Sequence, residues 1–211
     1  MENTASLELL PDDVLKEIYL LEEHAKRLET RERAQEEFMS YVHHVYDNFI
    51  EGTHHRIISE KLERIAKGEL KRLIVNMPPR HSKSEFASYL MPSWFLGRNP
   101  KLKIIQATMN TELAVRFGRK VRDLIADPKY REVFPNTDLK PDSQAAGRWE
   151  TAAGGEYFAA GVGAAMTGRG ADLLIIDDPH SEQDALSTTA YDNAYEWYTS
   201  GPRQRLQPGG S

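Results

Sequence analysis

The stretch KRLIVNMPPRHSKSEFASYL, residues 71–90, determines how the rest of the chain can fold around it. Residues 71–77 are rich in branched apolar side chains, which predicts a short β-strand. Polar residues follow, and Phe86, Ala87 and Leu90 then recur at helical spacing up to Pro92. A strand, a tight polar loop and a helix in this order place backbone amides at a helix N-terminus, where they can bind an anion.

The loop itself, NMPPRHSKSE at residues 76–85, departs from the P-loop pattern G-x-x-x-x-G-K-[ST]. Met77 and Ser82 stand where the two glycines are expected, whereas Lys83 and Ser84 supply the lysine and the hydroxyl of the pattern. In a phosphate site the lysine contacts the outer phosphates and the hydroxyl binds Mg²⁺. The geometry that glycines normally provide must therefore come from other residues.

Two prolines constrain this loop. Pro78 and Pro79 fix φ and have no N–H, so the backbone amides of residues 80–84 must form any phosphate cradle. Ser82 can replace glycine only if its φ is negative or if the loop tolerates strain, which costs on the order of 1 kcal/mol or more. The loop alone fits a phosphate site and an ordinary polar turn equally well.

A second motif, ADLLIIDDP at residues 171–179, has the form of a buried strand that ends in two carboxylates, Asp177 and Asp178. A P-loop hydrolase needs such a strand on the same sheet, because one acid holds Mg²⁺ through its water shell and a second polarises the attacking water. An apolar strand that ends in Asp-Asp is also common at ordinary turns. Together with Lys83 and Ser84, the two acids make a nucleotide site the more specific interpretation.

The remaining patterns predict an α/β fold. Residues 101–108 read as a second apolar strand, residues 110–128 as a long helix, and residues 148–161 as two extended pieces around a Gly-Gly turn, which indicates a hairpin. Alternating strands and helices predict a mainly parallel β-sheet flanked by helices, the arrangement of a P-loop NTPase. We assign residues 67–211 to this core and residues 1–66 to an N-terminal helical segment or lid.

The N-terminal segment has helical periodicity. Leu15, Ile18, Leu21 and Leu28 recur at steps of three and four residues, which predicts an amphipathic helix packed on a neighbour. Helical periodicity continues to about residue 66. The chain therefore begins with helices and changes to α/β character.

Composition excludes several classes of protein. The chain has 211 residues, 40% of them hydrophobic, which is enough for one substantial α/β domain. It contains no cysteine, so neither a disulfide framework nor a thiolate metal site can form. No apolar run reaches the roughly 18 residues that span a bilayer, and the acidic start MENTASLELLPDD does not have the pattern of a secretory signal. The net charge of −5 argues against a protein that coats DNA by bulk electrostatics.

Three stretches together resemble a known family. NMPPRHSKSEFASYLMPSWFLGRNPKLKII, ETAAGGEYFAAGVGAAMTGRGADLLIIDDPHS and RQRLQPGGS are similar, in this order, to the large terminase subunit of tailed bacteriophages. The likeness covers the chain from about Phe38 to its last residue. Members of this family commonly have Pro-Pro-Arg-His before Gly-Lys-Ser or Ser-Lys-Ser, so the resemblance implies that the loop is a variant P-loop.

The resemblance also implies roles for individual residues. Lys83 would contact the β- and γ-phosphates of ATP, and Ser84 would bind Mg²⁺. Arg80 would stabilise the γ-phosphate, unless it is an ordinary surface arginine. Asp177 would hold the Mg²⁺, and Asp178 would be the catalytic carboxylate, a position that is often Glu in this family.

The segment MTGRGAD, residues 166–172, precedes the strand that ends in the two acids. Because the ring-shaped motors of this family complete each site with an arginine from the adjacent subunit, Arg169 is the candidate for that arginine finger. A guanidinium spreads positive charge over a developing phosphate anion. The alternative is a local ion pair, for example with Asp172.

The full implied site comprises the phosphate-binding residues Pro79, Arg80, His81, Ser82, Lys83 and Ser84, the metal-binding residues Ser84 and Asp177, and the catalytic residues Asp178, Arg169 and Arg80.

The function that the resemblance implies is the ATPase domain of a viral DNA-packaging motor. Such a motor hydrolyses ATP with Mg²⁺ to drive double-stranded DNA into a preformed capsid, in the host cytoplasm and transiently docked on the procapsid. The implied partners are double-stranded DNA, the portal protein, the small terminase subunit and further copies of the chain in a ring, with no membrane partner; the isolated domain is expected to be weakly active or monomeric.

Large terminase subunits continue beyond RLQPGG into another strand and a ribonuclease-H-like nuclease domain, so we expect no nuclease activity from this chain. Two alternatives remain. One is another P-loop nucleic-acid motor, such as a helicase. The other is a nucleotide-binding assembly module without turnover, although Asp177 and Asp178 argue against it because a scaffold needs neither acid.

Overall fold

The computed structural model describes residues 11–211, apart from the side chain of Ala185. Residues 1–10, which include most of the start that we compared with a secretory signal, lie outside the described residues. The helices are α1 (Asp12–Glu36), α2 (Phe38–Val45), α3 (Thr53–Ala66), α4 (Met91–Arg98), α5 (Thr111–Ala126), α6 (Pro128–Val133) and α7 (Thr188–Ser200). The strands are β1 (Lys103–Thr108), β2 (Leu139–Ala145), β3 (Arg148–Thr151), β4 (Glu156–Gly161) and β5 (Leu173–Asp177).

The strands form one mixed sheet in the order β2-β3-β4-β1-β5. The centre of this sheet is parallel, because β1 pairs in parallel with both β4 and β5. The predicted hairpin is confirmed, since β3 runs antiparallel to β4, and β2 adds a further antiparallel edge. The fold is therefore mixed α/β with flanking helices, and the parallel strands end together on one side of the sheet.

Apolar residues cover both faces of the sheet. On one face, the N-terminal helices, α4, α5 and the hairpin share a single large cluster, in which Trp149 stacks on Tyr157 with ring centroids 4.9 Å apart. On the other face, a smaller cluster includes Ile105, Ala107 and Met166, and Trp197 from α7 packs against it. Residues from both predicted units, 1–66 and 67–211, contribute to the larger cluster.

The strand predicted at residues 71–77 is wrong. This segment is extended but has no strand pairing, and the side chain of Ile74 is 86% exposed. At the beginning of β5, the free edge is paired instead with Ser211, whose N–H donates to Asp172 O at 2.9 Å and whose carbonyl accepts from Leu174 N–H at 2.8 Å. Within residues 11–211, residues 71–77 form no ladder with any strand of the sheet, which is what a β-strand requires.

The helix predicted to end near Pro92 continues to Arg98. The helix begins at residue 83, its segment Glu85–Leu90 is a π-helix, and α4 follows without a break. Pro92 is the second residue of α4 and has no N–H to donate to the preceding turn. A π-helical segment directly behind a loop is frequently found at functional sites.

Among residues 11–211, helix α1 packs through its C-terminal end. Ala34 is its one buried residue, whereas Leu21 and Leu28 are 62% and 42% exposed. The periodicity therefore predicted the helix correctly, but the expected packing of these two leucines on a neighbour is wrong. No helix in residues 11–211 is long and apolar enough to cross a membrane.

Candidate functional site

The loop and the two acids meet where the parallel strands end. Thr108, the last residue of β1, is level with Asp177, the last residue of β5. Met109 N–H donates to Asp178 O at 3.1 Å, which ties the two strand ends together. The helix that follows the loop packs against β5. Crevices outside the carboxyl ends of parallel strands are where α/β proteins bind ligands.

The backbone of the loop has the conformation that glycine normally provides. Arg80 and Ser82 have positive φ values of 65° and 62°, and His81 between them does not. Of the two options at Ser82, the structure therefore has the strained one, and Arg80 adds a second strained residue at a cost of about 1–3 kcal/mol each. Alternation in the sign of φ turns successive amides toward one side, as in the concave anion-binding nests of backbone N–H groups.

The amides of this loop have no partners within the protein. Among residues 11–211, the backbone N–H groups of residues 80–85 donate to no acceptor, and the first helical bond runs from Phe86 N–H to Ser82 O at 2.9 Å. Pro78 and Pro79 contribute no N–H. Six successive unpaired donors at a helix N-terminus attract an anion, because the helix dipole adds to their partial charges.

Lys83 connects the loop to both acids. Its ammonium group contacts Asp178 Oδ1 directly and lies 3.7 Å from Asp177 Oδ1. Asp177 is only 6% exposed, whereas the Asp178 side chain is 62% exposed and its backbone has a positive φ of 43°. One acid is therefore held inside the site and the other projects toward solvent at its mouth.

Asp177 has two buried supports that the sequence analysis did not identify. Ser88 Oγ donates to Asp177 Oδ2 at 2.8 Å, and Gln106 Nε2 donates to Ser88 Oγ at 2.9 Å. Both side chains are fully buried. Two signals were present: Ser88 lies one helical turn after Ser84, and Gln106 follows the apolar pair Ile-Ile in the strand KIIQAT. A polar residue inside a buried strand indicates a specific partner.

The other loop residues lie around this centre. Arg80 and His81 are exposed, and Ser84 is partly buried in the first turn of the helix. His81 Nδ1 forms a hydrogen bond with Pro79 O at 2.9 Å. The structure thus brings Lys83 together with both acids and surrounds it with the remaining predicted phosphate-binding residues.

Three imidazoles gather beside the loop. The His54 ring lies 3.8 Å from that of His55 and 5.6 Å from that of His81, measured between centroids. His55 is 5% exposed and stacks on Phe86, with Nδ1 accepting from Gly52 N–H at 2.9 Å. Burial first, and then the neighbouring His54, lower the pKa of His55, while Glu51 opposes the shift. The folded protein therefore favours the neutral ring.

We expect the stability of the protein to fall as the solution is acidified from pH 7.5 to 5.5. Because the pKa of His55 is lowered in the folded state, the unfolded chain takes up a proton first as the pH drops below the ordinary value of about 6.5. The free energy of unfolding then decreases until the pH falls below the folded-state pKa. Thermal unfolding across this range measures the effect.

His55→Asn should reduce this pH dependence, because the Asn Oδ1 can accept from Gly52 N–H without titrating. His24→Asn on the exposed surface of α1 is the matched control and should leave the pH dependence unchanged. An identical pH dependence in His55→Asn and in the parent chain would show that the shift of His55 is not its source.

Arg169 lies away from the loop, on the opposite face of the sheet. Its guanidinium pairs with Glu156 at the beginning of β4 and stacks on the ring of Phe158, 3.8 Å from the centroid. Arg148 shares the same carboxylate at 3.1 Å. The local partner suggested from the sequence, Asp172, is wrong, because Asp172 instead accepts from Lys103 N–H at 2.7 Å. Arg169 therefore takes no part in the phosphate site of its own chain.

The donors at the site suit a hard cation in combination with a ligand. Asp177 and Ser84 offer a carboxylate and a hydroxyl oxygen, which are the donor types that Mg²⁺ prefers. Within residues 11–211, no group of three or more His, Asp or Glu residues is arranged to hold a metal. Mg²⁺ commonly binds proteins through one or two side chains and completes its shell with phosphates and waters, so this donor set fits Mg²⁺ bound with a nucleotide.

Comparisons of the chain with models of known protein families and with curated proteins produced no match. The likeness to terminases therefore depends on the motifs quoted above.

Proposed function

We propose that this chain is a P-loop ATPase that binds ATP with Mg²⁺ and hydrolyses it. The observation that carries the proposal is that Lys83 contacts Asp178 and lies close to Asp177. Lys83 stands at the end of a loop whose backbone amides are unpaired. A lone polar loop or a lone pair of acids is common in α/β proteins. Their meeting through a lysine at the carboxyl ends of parallel strands is more specific, because P-loop hydrolases combine a loop lysine for the phosphates with a strand-end acid for Mg²⁺.

In this proposal the loop binds the phosphates. The amides of residues 80–84 donate to phosphate oxygens, and Lys83 exchanges its contact with Asp178 for the outer phosphates. Arg80, which is exposed at the loop, adds positive charge near the γ-phosphate. These interactions stabilise the charge that spreads over the equatorial oxygens as the terminal phosphate is transferred.

The acids supply the remaining chemistry. Asp178, released from Lys83, orients the attacking water and accepts its proton as the water oxygen bonds to the γ-phosphorus. The bond from that phosphorus to the β,γ-bridging oxygen breaks at the same time, and its electron pair stays on the ADP. The products are ADP and inorganic phosphate. Ser84 and Asp177 are the residues that would hold Mg²⁺, which when bound neutralises charge on the β- and γ-phosphates.

We further propose that the ATPase acts as the motor domain of a viral DNA-packaging machine, with double-stranded DNA, a portal protein and a small terminase subunit as partners. This part of the proposal is supported by the resemblance in the three quoted stretches. A net charge of −5 is compatible with transient DNA contacts by a few local residues rather than with strong general binding.

The proposal is tested by measuring phosphate release from ATP with and without Mg²⁺ and double-stranded DNA. We expect turnover that requires Mg²⁺ and rises when DNA is added. The alternatives predict different results: a helicase-like motor would separate the strands of a forked duplex, and an assembly module would bind ATP without turnover. Nucleotide binding that does not respond to Mg²⁺ would contradict the ATPase assignment itself.

We also propose that Arg169 completes the site of a neighbouring chain. Support comes from its position on the far face of the sheet, where it cannot reach the loop of its own chain and where 22% of its side chain is exposed. To reach a neighbour's phosphate, the guanidinium must leave Glu156 and Phe158. Arg169→Ala should then lower turnover about 1,000-fold, as loss of an arginine finger does.

Mixing two inactive variants distinguishes a finger from a structural arginine. In an assembly of Arg169→Ala with Lys83→Ala chains, some sites combine an intact Lys83 with an intact Arg169 from the neighbour, so activity should reappear. Arg148→Ala, which removes the other arginine on Glu156, is the matched control and should retain turnover. If the mixture does not regain activity, the assignment of Arg169 as an arginine finger is wrong, whereas the assignment of the phosphate site is unaffected.

A further inference from the structure

A buried chain of three polar side chains runs from the sheet to the acid at the centre of the site. Gln106 on β1, Ser88 on the π-helical segment and Asp177 on β5 are joined by hydrogen bonds of 2.9 and 2.8 Å. The first two are completely buried and Asp177 is 6% exposed. Polar groups at such positions are costly unless a specific arrangement compensates for their desolvation.

The chemistry of the three groups fixes the direction of this chain. An ionised Asp177 can only accept, so the single hydroxyl hydrogen of Ser88 is directed to Asp177 Oδ2. The lone pairs of Ser88 Oγ are then available to a donor, which the amide nitrogen of Gln106 supplies. The opposite orientation of the amide would place its oxygen against Ser88, where it would compete with Asp177 for the same hydrogen.

The two oxygens of Asp177 consequently have different surroundings. Oδ2 is held by Ser88 inside the protein, and Oδ1 lies 3.7 Å from the Lys83 ammonium at the loop. A carboxylate that is free to rotate would present either oxygen to the site. With Oδ2 fixed, Asp177 presents Oδ1 in one orientation toward the groups that bind the ligand.

No other contact of Gln106 explains why a polar residue is present in the strand. Its Oε1 is buried and has no hydrogen-bond partner among the described residues. Gln106 lies two residues before Thr108, which is level with Asp177, and so shares a face of the sheet with that acid. An apolar residue there would avoid the unpaired oxygen, so the benefit of Gln106 lies in the bond that it donates to Ser88.

We infer that Ser88 and Gln106 are positioning residues that orient Asp177 for a divalent cation bound with the nucleotide, an inference that rests on the proposed ATPase function. In this inference, both residues act through Asp177 and not by contacting the nucleotide. Groups that orient a metal ligand in this way typically contribute a factor of about 10–100 to metal affinity or activity. Loss of either group should therefore weaken the response to Mg²⁺ more than the binding of ATP.

The test compares the parent chain with Ser88→Ala, Gln106→Met and the double variant. ATP affinity is measured in EDTA by calorimetry, and the Mg²⁺ concentration for half-maximal hydrolysis is measured separately. We expect Ser88→Ala to raise that Mg²⁺ concentration about ten-fold or more and to leave ATP affinity in EDTA within about two-fold of the parent. Gln106→Met, which is similar in volume and changes no helix residue, should shift it in the same direction by a smaller factor.

The double variant provides a sharper criterion. Because Gln106 acts only through Ser88, the double variant should require no more Mg²⁺ than Ser88→Ala alone. Ser59→Ala is the matched control, since Ser59 is a buried helical serine whose hydroxyl has no partner in the described structure, and it should leave both measurements unchanged.

The outcomes separate the inference from the function on which it rests. A parent-like Mg²⁺ requirement in folded Ser88→Ala or Gln106→Met, or additive effects in the double variant, would overturn the positioning role while the ATPase assignment stands. A parent chain whose nucleotide binding and turnover do not respond to Mg²⁺ would overturn both. Circular dichroism and thermal unfolding identify a variant that has lost its fold. If one single variant is unfolded, the Mg²⁺ requirement of the other single variant tests the positioning role.

Discussion

Replacing Lys83 with alanine should lower Mg²⁺-dependent ATP hydrolysis by about 100-fold or more, the loss typical when one preorganised group that stabilises transferring charge is removed. The ammonium group of Lys83 is the only described cation that lies between the loop and both acids. Without it, Asp177 and Asp178 would repel the phosphates with no intervening positive charge. ATP binding and phosphate release, measured on the same preparation, check both parts of this expectation.

The control for Lys83→Ala is Lys129→Ala. Lys129 is also an ion-paired lysine, joined to Asp47 on the surface, and its loss should leave turnover unchanged because exposed pairs contribute little. Turnover that survives in Lys83→Ala at the parent rate would mean that the lysine serves only as a local ion-pair partner. The phosphate site would then have to be abandoned.

Trp94→Ala should lower the free energy of unfolding by about 3–5 kcal/mol. Trp94 is fully buried, and Phe38 from α2 packs edge-on against it with ring centroids 5.4 Å apart. Its indole N–H donates to Ala34 O at 3.0 Å, and Arg98 lies over its ring. The substitution therefore opens a cavity at the point where the N-terminal helices join the α/β core. Denaturant unfolding followed by circular dichroism measures the change.

Two further variants divide this effect. Trp94→Phe retains most of the volume but leaves Ala34 O without its donor, so it should cost less than Trp94→Ala. Tyr195→Ala on α7 removes an aromatic ring that is 66% exposed, and it should change stability by no more than about 0.5 kcal/mol. A small effect of Trp94→Ala would indicate that the N-terminal helices are not held to the core by this residue.

The elements that the sequence predicted correctly are those whose signal is local. Strand β5 is an unbroken apolar run, and α5 shows a clear apolar stripe that includes Phe117 and Val121, both of which are buried. The hairpin was predicted from its Gly-Gly turn, and Gly154 has the positive φ of 93° that such a turn favours. In each case, the residues that predict the element lie within a few positions of one another in the sequence.

The predictions that failed depended on partners elsewhere in the chain. Residues 71–77 have the composition of a strand, but a strand also needs a neighbour, and Ser211 occupies the free edge of β5. Leu21 and Leu28 have helical spacing, yet periodicity does not show whether another element packs on them. The helix continues past Pro92 after a π-helical segment, which no local pattern indicates.

The candidate site shows the same division. The contact of Lys83 with Asp177 and Asp178 was expected from two parallel strands that end side by side. The structure has this contact, although only the strand that ends in the acids is formed. The support of Asp177 by Ser88 and Gln106 could not be derived, because it depends on which helix face meets the sheet and on how two strands align. For the same reason, the pairing of Arg169 with Glu156 was not foreseen.

The central claim is that the unpaired amides of residues 80–84 bind the phosphates of a nucleotide. It is tested most directly by recording ¹H–¹⁵N spectra of the labelled chain during titration with a non-hydrolysable ATP analogue and Mg²⁺. We predict that the amide resonances of residues 80–84 shift more than any others in the parent chain and do not shift in Lys83→Ala. Spectra in which the analogue leaves these five amides unchanged, or in which it perturbs only residues far from the loop, would contradict the account.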